Sequence, residues 1–119
     1  MITKDNFAAI LLVAVPEFQD IYESHLAENE EVLGHPLFGE LFDFMAAHAD
    51  DEKLFRRIIG FINYASANSD SHVKGMVQVS FLEHIAFSEL ADRIKPLLND
   101  VALQRLNAVT DGTPNEDAA

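Results

Sequence analysis

A chain of 119 residues carries one domain's worth of sequence, and the absence of cysteine excludes disulfides, thiolate metal sites and cysteine nucleophiles. Twenty acidic residues against eight Lys and Arg give a net charge of −12, a field that repels nucleic acid and anionic membrane and speeds encounter with a basic partner. The same charge also works as a plain solubilising coat, so charge alone leaves that choice open.

Thr3 or Asp5 is placed to cap a first helix through Phe7, Ile10, Leu11 and Ala14. The apolar run over residues 7–15 lacks a small-residue cleavage site, leads straight into acidic sequence and is too short to span a bilayer. A cytoplasmic location is expected. Pro16 ends that helix and opens a second, with Phe18, Ile21, Tyr22 and Leu26 on one side and Glu17, Asp20 and Glu23 on the other. Gly34 is expected to end the turn that follows residues 30–33. A third helix is predicted from Pro36 to about His48, where Phe38, Leu41, Phe42 and Met45 make an i, i+3, i+4, i+7 stripe.

Asp50, Asp51 and Glu52 supply a cap and negative charge for a fourth helix, where the macrodipole favours them. There Phe55, Ile58, Ile59 and Ile62 repeat the stripe, and Lys53, Arg56 and Arg57 share another face. SANSDS, residues 66–71, reads as a loop. The stretch HVKGMVQVSFLEHIAF, residues 72–87, is apolar nearly all round and is predicted to be the buried helix around which the others pack. Gly75 within it predicts the close approach of another helix. Ser88 is placed to cap a sixth helix through Leu90, Ala91, Ile94 and Leu97, bent or ended by Pro96. Asn99 or Asp100 begins a last one with Val101, Leu103, Leu106 and Val109.

Residues 110–119 carry no apolar pattern and are expected to be a disordered tail. No segment alternates at period two with β-branched residues. The expected fold is therefore all-α: one domain over residues 1–109, a bundle of about six or seven short helices around a central helix at 72–87. Most of the nine phenylalanines, which have no polar handle, should pack its interior.

The five histidines form neither H-E-x-x-H nor paired E-x-x-H motifs, so no metal site is expected. Glu83 and His84 are adjacent and point about 100° apart on a helix rather than at one ion. Ser80 lies one turn before His84, but nothing supplies an orienting acid or an oxyanion hole. Ser80, Glu83 and His84 are read as a buried polar network that fixes the packing of neighbouring helices. There is no Gly-rich nucleotide loop, and Lys53, Arg56 and Arg57 make too small a basic patch for nucleic acid. They are read as ion-pair partners for nearby acids. No enzyme activity and no cofactor are expected.

On the segments HPLFGELFDFM and VKGMVQVSFLEHI the chain resembles small bacterial immunity-type proteins, including immunity proteins of contact-dependent growth inhibition systems. The likeness covers about residues 16–98 and rests on Leu37, Phe38, Gly39, Leu41, Val79, Ser80, Phe81 and Leu82. It implies a protein that acts by occupying its target, with no catalytic residues. The expected target is a basic toxin domain such as a nuclease, covered by an acidic surface placed on Glu28, Glu30, Glu31, Glu40, Asp43, Asp50, Asp51 and Glu52. The chain would then be a monomer or weak homodimer that binds neither nucleic acid nor membrane. The alternative is a helical adaptor or regulatory domain that dimerises or binds a partner helix, with exposed Phe38, Phe42 and Phe44 as its signature.

Overall fold

In the computed structural model, residues 1–110 are described. Ile2 is fixed before the first helix begins: its N–H donates to Asn68 O at 2.7 Å and its C=O accepts from Asp70 N at 2.9 Å, with the side chain buried. This single bridge clamps the start of the chain where α4 (Glu52–Asn68) gives way to α5 (Ser71–Val77). The first helix, α1, spans Phe7–Ala14. Neither Thr3 nor Asp5 caps it, because the N-cap is Asn6, whose Oδ1 is taken by the Thr3 amide at 2.7 Å. Pro16 opens a single 3₁₀ turn, Pro16–Phe18, which leads into α2, Gln19–Asn29. Its fixed φ and missing N–H suit a first helical position.

The stop after α2 falls on Glu30, which takes a left-handed φ of 62°, and not on Gly34. Gly34 instead begins α3, Gly34–Ala47. A Cβ there would collide with Met76 Sδ, so the close helix approach expected at Gly75 occurs at Gly34. Around Gly75 a Cβ would meet nothing. Asp51 caps α4 by accepting from Leu54 N at 3.2 Å. This helix runs through Asn68 and α5 begins at Ser71, so of the loop expected over residues 66–71 only Ser69 and Asp70 lie outside a helix. Asp70 then caps α5 through Val73 N at 2.9 Å.

From Ser71 to Ala86 the chain is one helical rod: α5, a π segment at Gln78–Leu82, and α6 at Glu83–Ala86. It packs against α3, α4 and α8 (Asp100–Thr110), which makes it the central element. Between it and α8, Ser88 makes a tight turn: it donates to Ile85 O at 3.1 Å and accepts from Leu90 N at 3.1 Å, and α7 is the short Ala91–Ile94. Pro96 lies in a 3₁₀ turn, Lys95–Leu97, and Asn99 caps α8 through Ala102 N at 2.8 Å. The Asn99 amide also donates to Asn63 Oδ1 at 2.8 Å, which ties this corner to α4. Helix α8 runs to Thr110, and the rest of the tail expected at 110–119 lies outside the described residues.

The fold is all-α with one shared hydrophobic core. Its centre is aromatic: Phe7 stacks on Phe38 at 5.4 Å, Phe38 on Phe61 at 6.4 Å, and Phe42 meets Phe81 edge-on at 5.6 Å. Eight of the nine phenylalanines are buried or partly buried, and Phe87 stands out with 80% exposure.

The central rod is not closed all round. Val73, Met76, Val77, Phe81, Leu82 and Ile85 are buried, but Val79 is 48% exposed. The π segment explains which residues emerge. In an uninterrupted α-helix His84 would fall with Val73, Val77 and Ser80 on the buried side. A π turn takes about one residue more than an α turn, so five residues of it set the downstream faces back by roughly a quarter turn. That rotation brings His84 to the surface and aligns Val79, Glu83 and Phe87, spaced by four, along the open edge.

Candidate functional site

Ser80, Glu83 and His84 do not form a buried network. His84 is exposed and lies over α3, its ring 5.5 Å from that of Phe42 and its Cε1 3.8 Å from where a Gly39 Cβ would stand. Ser80 is buried, and its Oγ lies 2.7 Å from His35 Nδ1 at the start of α3, 45 residues away in sequence. A hydroxyl and an imidazole at that distance resemble half of a nucleophilic pair. Among the described residues no carboxylate orients His35, and Ser80 is 7% exposed. The contact fixes α3 against the π segment.

The buried histidine is His25, 1% exposed, near the end of α2. The Leu33 amide donates to its Nε2 at 2.9 Å, so that nitrogen is the acceptor and the proton sits on Nδ1, which donates to Glu40 Oε2 at 2.8 Å. Asn29 Nδ2 donates to His25 O at 2.9 Å. These bonds tie the α2–α3 turn, with Glu30 and Glu31, to the side of α3. Spacing gives no hint of this arrangement, because its partners come from three separate segments.

The eight acids expected to meet a partner divide into groups. Glu28, Glu30, Glu31 and Glu40 belong to the α2–α3 end. Asp50, Asp51 and Glu52 belong to the α3–α4 corner, at the opposite end of a helix about 20 Å long. Asp43 lies between them on α3. Three of the eight are already engaged. Glu40 accepts from His25, Asp51 caps α4, and Glu52 accepts from Arg56 at 2.7 Å and from Arg93 at 2.9 Å. The other five, Glu28, Glu30, Glu31, Asp43 and Asp50, are exposed and have no cationic partner among the described residues.

The basic residues of α4 are largely used up by acids. The Arg57 guanidinium makes a two-pronged pair with Glu17, holding that carboxyl below the ordinary carboxylate range while its own value is raised. Glu52 is likewise lowered, chiefly by its hydrogen bond from Arg56 and then by that from Arg93. Arg93 in turn lies over the Phe55 ring at 3.9 Å. The cations are thus drawn toward α1, α4 and α7, and the α2–α3 side is left with bare carboxylates.

Beside Asp43 runs an apolar groove of about 660 Å³ between α3 and the central rod, lined by Phe42, Asp43, Val79, Glu83, His84 and Phe87. Phe42 and Phe44, expected as exposed signatures of an adaptor, are packed partly into the core, and Phe38 is fully buried. The exposed apolar side chains belong to the rod instead. Among the described residues no group of three or more His, Asp or Glu side chains could hold a metal ion, and no helix is long and apolar enough to cross a membrane.

No curated protein and no solved structure matches the chain. The family described as a domain of unknown function, DUF7674, matches residues 8–107, from α1 to within three residues of the end of α8. The chain therefore belongs to the DUF7674 family, and the groove and the bare carboxylates lie within the matched region.

Proposed function

We propose that this protein is an immunity protein, which binds a basic bacterial toxin domain and neutralises it by occupation rather than by chemistry. A nuclease is the toxin class that this charge suits best, because its substrate cleft is itself cationic. The observation that carries the reading is the set of five exposed carboxylates without cationic partners, Glu28, Glu30, Glu31, Asp43 and Asp50. One of them, Glu30, holds a left-handed backbone conformation in which glycine would be less strained. Unpaired surface charge of one sign accelerates encounter with an oppositely charged protein and makes that encounter sensitive to salt.

The test begins with the gene immediately upstream: a large secreted protein ending in a small basic domain supports the proposal, and an operon of metabolic enzymes counts against it. That basic domain is then expressed with and without this chain. Growth arrest by the domain alone, relieved when the chain is co-expressed, supports the proposal. Undiminished arrest in the presence of the folded chain contradicts it.

An adaptor reading draws on a different observation, the exposure of Val79 and Phe87. Sedimentation separates the two. A concentration-dependent dimer of the purified chain favours the adaptor, whereas a monomer that sediments as a complex only with the basic domain favours immunity.

A further inference from the structure

The groove between α3 and the central rod lies outside the acids chosen for the partner surface, apart from Asp43, and its occupant can be inferred from its shape and charge. We infer that it seats one amphipathic α-helix of the basic partner, two or three apolar side chains down and lysine or arginine along the flanks. This deepens the proposed function and rests on it for the identity of the partner.

Val79 and Phe87 are eight residues apart, about 12 Å along a helix, close to the span of an i, i+4, i+7 stripe on a partner helix. Phe87, 80% exposed, lines it together with Phe42 and the His84 ring, which packs beside Gly39. The rim carries Asp43 and Glu83, neither with a cationic partner among the described residues, and no Lys or Arg lines the groove. An apolar trough edged only by negative charge selects an apolar stripe edged by positive charge. A second copy of this chain fits poorly. It would bring Asp43 and Glu83 against acidic groups on a molecule that also carries −12. A strand fits poorly too, since β-augmentation needs an open sheet edge and the described residues contain no sheet.

The chain has no tryptophan, so a peptide carrying one reports binding by its own fluorescence. The probe is a synthetic helix-forming peptide with leucines at i, i+4 and i+7 flanked by lysines. The control is the same composition scrambled to destroy the stripe. The full chain is expected to bind the striped peptide about tenfold more tightly than the scrambled one. Val79→Ser with Phe87→Ser should remove about tenfold of that affinity without shifting the thermal melt, because both side chains are exposed. Glu28→Lys with Glu31→Lys, outside the groove lining, should change it by less than about threefold. Equal binding of the two peptides overturns the inference, as does indifference to the Val79 and Phe87 substitutions, or a homodimer that those substitutions abolish.

The two proposals fail separately. If the groove variant neutralises the toxin domain as fast as the parent chain while the charge variant does not, the groove is wrong and immunity stands. If the parent chain gives no neutralisation but the peptide still responds to the groove substitutions, immunity is wrong and the groove stands.

Discussion

His25 Nδ1 donates to Glu40 Oε2 at 2.8 Å while its Nε2 accepts from the Leu33 amide, so one neutral imidazole holds α2, α3 and the turn between them. Removing it leaves the part-buried Leu33 N–H unpartnered and opens a cavity under the turn. His25→Ala should cost about 2–4 kcal/mol in urea unfolding. Glu40→Gln keeps an acceptor oxygen in place and should cost about 1 kcal/mol or less. Equal losses from the two would mean that the carboxylate, not the ring, organises the turn.

Glu30 occupies the left-handed position at which helices usually place glycine. Glu30→Gly relieves that strain but adds freedom to the unfolded chain, for a net gain of about 0.5–1 kcal/mol. The same change deletes one of the bare carboxylates. The expected signature is a higher melting temperature together with slower association with the basic domain. A variant that is less stable would show that the Glu30 side chain supports the turn.

The glycines separate by what lies over them. Gly60→Ala and Gly75→Ala place a methyl in open space on a helix and should stabilise by about 0.5–1 kcal/mol each. Gly34→Ala drives a methyl into the buried Met76 side chain and should destabilise by about 1–3 kcal/mol. Thermal melts of the three variants check the opposite signs directly.

Glu17 and Glu52 are held below the ordinary carboxylate range by hydrogen bonds from Arg57 and from Arg56 and Arg93. A depressed carboxyl stabilises the fold above its unfolded pKa, and the contribution is lost as pH falls through the lower folded value. Both pairs are open to solvent, so each contribution is small. The melts of Glu17→Gln and Glu52→Gln should lie slightly below the parent at neutral pH and converge with it in acid beneath the carboxylate range. A gap that widens on acidification would contradict these pairings.

Much of the fold was legible because its cause is local. The stripes through Phe38, Leu41 and Met45 and through Phe55, Ile58 and Ile62 declare helices by period, and Asp51 and Asn99 declare their starts by chemistry. What was not legible depends on contacts between distant segments. Gly34 and Gly75 look alike in sequence, and only the position of Met76 separates them. Regular α spacing pairs Ser80 with His84, but the π segment turns His84 outward, and Ser80 meets His35. His25 gave no signal, since an isolated histidine becomes a buried anchor only when Leu33 and Glu40 arrive. The candidate acids are readable as charge, and Asp51 as a cap, but nothing local shows that Glu52 also meets Arg93, 41 residues away.

The central claim, that the five bare carboxylates along α3 and at its two ends guide a basic protein onto this one, is tested most directly by stopped-flow association with the toxin domain across a salt series. The parent chain should associate quickly, slowing steeply as salt rises. Glu28→Lys, Glu31→Lys and Asp50→Lys together should reduce the low-salt rate by about tenfold or more with the melt unchanged. An association rate that ignores both salt and these three substitutions would contradict the account.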